Sequence, residues 1–170
     1  MATATSQQDL RSRLGHARAT LSLMGDRGIH IEREFKAPRK RVWRAMTKRK
    51  LIQKWWGRGH KLEVEQLDFE PGGHWRFVER TPESTDGFEG RFGEIEKPQR
   101  IMQTFEWDGM PAHTAQQTIT LEKIDDEHTR VSCDLICFSK AARDGMVRSG
   151  MEQGMNQSYD ALDKVLEGMN

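Results

Sequence analysis

Nowhere in this chain do apolar residues run on for anything near the ~20 positions of a membrane-spanning helix. The opening residues, MATATSQQDLRSRL, lack the apolar core of a secretory signal. Both absences make a cytoplasmic protein the expectation. Cysteine is scarce: Cys133 and Cys137, in VSCDLICF, are the only two. That stretch reads as a strand, which holds residues four apart at ~13 Å. A disulfide needs Cα atoms within about 7 Å, so the two do not bridge and read as small buried hydrophobes. The six histidines form no H-x-x-x-H pair, and none stands beside a cysteine at metal-site spacing. His60 and His113 are the two that could meet at the mouth of a cavity. There is no G-x-S-x-G, phosphate loop or paired-carboxylate motif, and EPGGH, without a following G-K-[ST], reads as a turn. No metal, cofactor or hydrolytic centre is implied.

Acid is missing from one long stretch. Between Arg39 and Lys61 stand ten Lys or Arg and no Asp or Glu. Against a net charge of +1 for the chain, the remainder therefore carries −9. This block is either a solvated face or a docking surface for an acidic ligand group or acidic protein partner. Nucleic acid is not expected. No helix-turn-helix or base-stacking pattern surrounds the block, and the isoelectric point is only about 7.9.

Aromatic residues are plentiful by comparison. Five Trp and seven Phe in 170 residues argue for one folded domain with a sizeable core. Residues 1–28 read as an N-terminal extension. Leu10, Leu14, Ala17, Leu21 and Met24 fall on one helical stripe, with Ser6 and Asp9 at its start and Gly25 at its end. IHIEREF, residues 29–35, alternates as a half-buried strand. Pro38 then opens a short helix with Val42, Trp43 and Met46 inward. Thr47 caps a second, on which Leu51, Ile52, Trp55 and Trp56 share one face.

Six runs of period two follow, near 61–69, 73–80, 87–96, 100–107, 114–124 and 129–138, separated by turn chemistry. Short connections imply antiparallel neighbours. A slip of apolar phase in the first run predicts a bulge near Gln66. Ser139 caps a turn of helix over 140–147. Ser149 and Glu152 fit a capping box opening a long last helix, with Met151, Met155, Ser158, Leu162, Val165 and Leu166 on one face.

This order predicts an α+β helix-grip fold. A curved, seven-stranded antiparallel sheet wraps the long C-terminal helix, and the two short helices after strand 1 close one end. Trp56, Trp75, Phe77, Phe105, Trp107, Ile119, Met151, Met155 and Tyr159 fall inward, either lining a cavity or filling a core. Gln103 and Gln117 sit on the same apolar faces. They are polar anchors inside the cavity or partners of each other, since a buried amide needs a hydrogen bond. Arg33, also inward, is expected in a salt bridge near the strand end.

Four stretches, APRKRVWRAMTKRKLIQKWWG, DFEPGGHWRF, FEGRFGEIEKPQRIMQTFEWDGMPAH and RDGMVRSGMEQGMNQSYDALDKVL, resemble the START/Bet v 1-like (SRPBCC) superfamily. Within it they are similar to the branch related to the Hsp90 ATPase activator C-terminal domain and the calicheamicin-resistance protein. The resemblance runs from about Ile29 to Leu166. It implies a helix-grip ligand-binding domain over 29–170 with an internal cavity for a small hydrophobic molecule. The expected function is a non-catalytic binding or carrier protein, monomeric or weakly dimeric, with a stress-response role among the family's associations. The alternatives are a cyclase- or hydrolase-like enzyme using Gln103, Gln117, His60 and Tyr159, or an Hsp90-activator-like interaction module docking through Arg39–Lys61.

Overall fold

A computed structural model describes residues 18–169. Alternating strand residues build one sheet with a single buried face. The strands are β1 (Thr20–Met24), β2 (Gly28–Phe35), β3 (Lys61–Leu67), β4 (His74–Arg80), β5 (Thr85–Glu96), β6 (Arg100–Trp107), β7 (Ala115–Lys123) and β8 (Thr129–Ile136). They pair antiparallel throughout, in the order β1-β2-β8-β7-β6-β5-β4-β3. Helices α1 (Arg39–Thr47) and α2 (Arg49–Trp55) lie between β2 and β3, and α3 (Lys140–Arg148) and α4 (Met151–Glu167) follow β8.

The sheet has eight strands rather than the expected seven. The extra one is β1, inside the stretch expected to be helical. Leu21 pairs with Ile31 and Met24 with Gly28, so both lie on a strand. Tertiary partners override the helical stripe here. Asn156 of α4 accepts from Ala19 N–H at 2.8 Å, and Arg143 of α3 donates to the carbonyls of Gly25 and Gly28 at 3.0 and 3.3 Å. Leu10, Leu14 and Ala17 lie outside the described residues.

The expected bulge is present: register slips between Val64 and Gln66. Ser139 caps α3 by accepting from Ala142 N–H at 3.0 Å. The other three helix starts differ in detail. Pro38 stands just before α1, and Lys48 before α2, while the Thr47 hydroxyl turns back to the Trp43 carbonyl at 2.7 Å. Gly150, in the left-handed region at φ 89°, starts α4 in place of the Ser149 capping box. Ser149 ends α3, its hydroxyl donating to Met146 O at 2.6 Å. Only a residue tolerant of positive φ fits so sharp a turn between two helices.

The core lies between the inner face of the sheet and α4. Leu162 and Leu166 of α4 are buried against it, with Ile29, Ile31, Val131 and Leu135. Tyr159 meets Phe35 edge-on at 5.3 Å. Arg33 is 2 % exposed and makes the expected salt bridge, to Asp160 at 2.8 Å and also to Asp163, both on α4. Among the described residues no helix is long and apolar enough to cross a membrane.

Candidate functional site

The grip is tight at the C-terminal half of α4 and loose at the N-terminal half. Leu162 is fully buried, whereas Met151 and Met155 are only partly covered. Gly150, Gly154 and Ser158 line this half with little or no side chain. A cavity of about 270 Å³ remains between this half of α4, the inner face of β4 to β8 and the end of α2.

Its walls bring together the inward residues read from the sequence. Trp75 and Phe77 come from β4, Gln103, Phe105 and Trp107 from β6, and Gln117 and Ile119 from β7. Trp56 stands at the end of α2, and Met151, Met155 and Tyr159 hang from α4. Trp56 meets Phe77 and Phe88 edge-on at 5.2 and 4.9 Å, and Phe88 lies 5.7 Å from Phe105. The neighbouring Trp55 packs inward, donating its indole N–H to Ala45 O at 2.9 Å.

Polar groups on the wall form a short relay. Gln103 Nε2 donates to Gln117 Oε1 at 2.6 Å, and Gln117 Nε2 donates to Cys133 Sγ at 3.2 Å. The two glutamines thus pair with each other, and they do so on the cavity wall. Burial pushes the Cys133 thiol up to about 12 and raises the Tyr159 phenol above its ordinary value. Both stay protonated and neutral at physiological pH. Cys133 and Cys137 are buried, unbridged thiols.

Sequence reading did not single out Arg58, Glu79 and Asp86. Arg58 follows α2 in the left-handed region, at φ 62°, flanked by Gly57 and Gly59 at φ 80° and 77°. This turn aims its backbone N–H at Ser158 Oγ, 2.9 Å away, and its guanidinium at Glu79. A non-glycine residue at positive φ persists only where its surroundings hold it. Glu79 is 3 % exposed. Its phase on β4, two beyond Phe77, is the signal that could have found it: an acid in an inward position. His60 lies on Glu79 at 2.9 Å, while His113 meets Phe138 edge-on, so the two do not meet at the mouth. Among the described residues, no group of three or more His, Cys, Asp or Glu is placed to hold a metal ion.

The same architecture recurs in solved structures. A crystal structure of a Rhodobacter sphaeroides protein matches with a TM-score of 0.80 at 24 % identity, covering 90 % of this chain and 100 % of that one. A solution structure of an Arthrobacter aurescens protein matches at 0.79 and 22 %, covering 88 % and 92 %. A Mycobacterium smegmatis protein matches at 0.79 and 18 %, covering 89 % and 99 %. Such identities speak for the fold alone. No curated protein shows significant sequence similarity to the chain. Residues 36–167, most of the sheet and all four helices, match the family of Activator of Hsp90 ATPase homolog 1-like proteins, and the chain belongs to that family.

Proposed function

We propose that this protein binds a small, largely apolar molecule in the cavity beneath α4, as a carrier or sequestering protein without catalysis. The observation that carries this reading is the cavity of about 270 Å³, walled by aromatic rings and four methionines, Met46, Met146, Met151 and Met155. A guest of matching shape would remove the apolar lining of this cleft from water, which favours binding. Ligand sites commonly begin at about 300 Å³, close to this volume. Titration with an apolar naphthalene fluorophore, followed by tryptophan emission, tests the reading. Saturable binding that Met155→Trp weakens at least tenfold supports it. Absence of binding, or binding indifferent to that substitution, removes it.

A second reading concerns the basic block. Of its ten cations, Arg58 alone has an ion-pair partner among the described residues. Arg39, Lys40, Arg41, Arg44, Lys48, Lys50, Lys54 and Lys61 line the two helices that close the cavity and its following strand. An acidic protein surface fits this face, and complementary charge would speed encounter. Replacing Lys48, Arg49 and Lys50 by Glu should abolish capture of such a partner; unchanged capture would count against the reading.

A further inference from the structure

Glu79 and Asp86 stand directly opposite each other where β4 and β5 meet at their shared turn. The in-phase pair next to them, Phe77 with Phe88, shows that both carboxylates face the cavity, and both line it. Directly opposed residues have Cβ atoms about 4.5–5.5 Å apart, a spacing at which like charges destabilise a sheet.

Only one of the two has a cation. Arg58 donates through Nε to Glu79 Oε1 at 2.8 Å, its Nη2 lies 2.6 Å from that oxygen in the ion pair, and His60 Nδ1 lies 2.9 Å from it. Glu79 Oε2 receives no donor from the described residues, although the side chain is 4 % exposed. Asp86 has neutral donors alone: Trp107 Nε1 at 3.1 Å and Ser84 Oγ at 3.0 Å. With Arg58, Glu79 and Asp86 as its charged groups, the wall is one negative charge in excess.

The spare hydrogen-bonding capacity leans the same way. Gln103 gives its amide N–H to Gln117, which leaves Oε1 as an acceptor. Tyr159 is 3 % exposed and lines the cavity, yet its hydroxyl has no partner among the described residues. That hydroxyl is not one of the sealed, unpartnered polar atoms, so it opens on the empty space. A phenol hydroxyl that opens on the cavity can donate to or accept from a polar atom of a guest. Trp56, Phe88 and Trp107 add aromatic rings to the lining, a residue type that attracts cations.

We propose that the cavity selects an organic cation: a molecule with a flat apolar body and a protonated amine. The ammonium group sits between Glu79 Oε2 and Asp86, and the body lies against Trp56, Phe88 and Phe105. The Tyr159 hydroxyl takes a second polar atom of the guest. This rests on the cavity being a binding site, and one experiment separates the two claims. Three naphthalenes of matched shape, 2-naphthylmethylammonium, 2-naphthylmethanol and 2-naphthylacetate, are titrated by calorimetry at pH 7 into the protein and its Asp86→Asn variant. The ammonium compound should bind about tenfold tighter than the alcohol, and the carboxylate most weakly. Asp86→Asn should bring the ammonium-to-alcohol ratio close to one, with thermal melts establishing that the variant is folded. An alcohol or carboxylate that binds the parent as tightly as the ammonium compound overturns the charge preference and leaves the cavity reading standing. A ratio unmoved by Asp86→Asn overturns the seat of the cation. Heat from none of the three overturns both claims.

Discussion

The guanidinium of Arg33, on the inner face of β2, donates to Asp160 on α4 across 2.8 Å. Asp163, one helical turn on, takes the other arm of the fork. Sequence separations of 127 and 130 residues make this a long-range clamp. It closes the C-terminal half of the grip and leaves the cavity to the other half. The three members are unequally placed: Arg33 is 2 % exposed, Asp160 69 % and Asp163 18 %.

That inequality sets the first prediction. Arg33→Met leaves two carboxylates, one of them well solvated, and should cost about 1–3 kcal/mol. Asp160→Asn with Asp163→Asn strands a buried cation and should cost more, about 3–5 kcal/mol. Urea unfolding of the parent and both variants measures the order, and the reverse order would refute this account of the clamp.

Backbone proximity sets the second. A Cβ at Gly90 would lie 1.9 Å from the Thr104 carbonyl oxygen and 2.7 Å from the unpartnered indole nitrogen of Trp75. The carbonyl belongs to the neighbouring strand and cannot yield without parting β5 from β6. A Cβ at Gly87 would meet Asp108 Oδ2 at 2.1 Å and Arg76 Nη2 at 2.7 Å, the far ends of exposed side chains. Gly90→Ala should therefore lose about 3 kcal/mol or more, and Gly87→Ala about 1 kcal/mol or less. Thermal melts of the two variants should show Gly90→Ala clearly the less stable.

The glutamine relay supplies a double-mutant cycle. Gln103→Leu leaves Gln117 Oε1 without its donor in a residue that is 8 % exposed. The cost should be about 1–3 kcal/mol. Removing both amides removes the orphan as well, so Gln103→Leu with Gln117→Leu should cost clearly less than the two single changes added together. Additive costs would mean that the hydrogen bond contributes nothing.

Acid stability involves His30, on the outer face. Its Nδ1 lies 2.5 Å from Asp134 and its Nε2 3.2 Å from Glu32. The hydrogen bond to Asp134, seconded by Glu32, raises the imidazole above its ordinary 6.5. A raised value means that the folded state holds the proton more tightly than the unfolded chain. The resulting stabilisation is complete below 6.5 and fades as pH rises through the folded value. The stability advantage of the parent over His30→Gln should therefore be largest near pH 5.5 and shrink toward pH 8. A partly exposed pair of this kind contributes up to about 1 kcal/mol. An advantage that grows with pH would contradict the sign.

Much of this was readable from period and turn chemistry. Trp75 and Phe77 alternate with His74 and Arg76, which fixes their side of the sheet whatever lies opposite. The phase slip between Val64 and Gln66 announced its bulge in the same way. The end of the helical stripe, at Leu21 and Met24, misled for a physical reason. Its helical spacing is genuine, but a short isolated helix gains little, while pairing with β2 satisfies its backbone. Ser149 and Glu152 carried the pattern of a capping box, yet α3 runs up to Ser149 and claims it as its own end.

The paired carboxylates were hidden differently. Glu79 and Asp86 are seven residues apart with a turn between, and neither stands in a motif. Only strand register makes them opposite, and only the turn at Arg58 decides which of them has a cation.

By itself the sequence determined which side chains face inward, because a strand alternates with period two and a helix with 3.6, and these periods are properties of the backbone. Tertiary structure decided whether those side chains touch. Packing depends on the distance between elements, and the pairing of Arg33 with Asp160 and Asp163 ties the C-terminal half of α4 to the sheet. At Leu162 that distance closes the interior. At Met155 it leaves room for a guest.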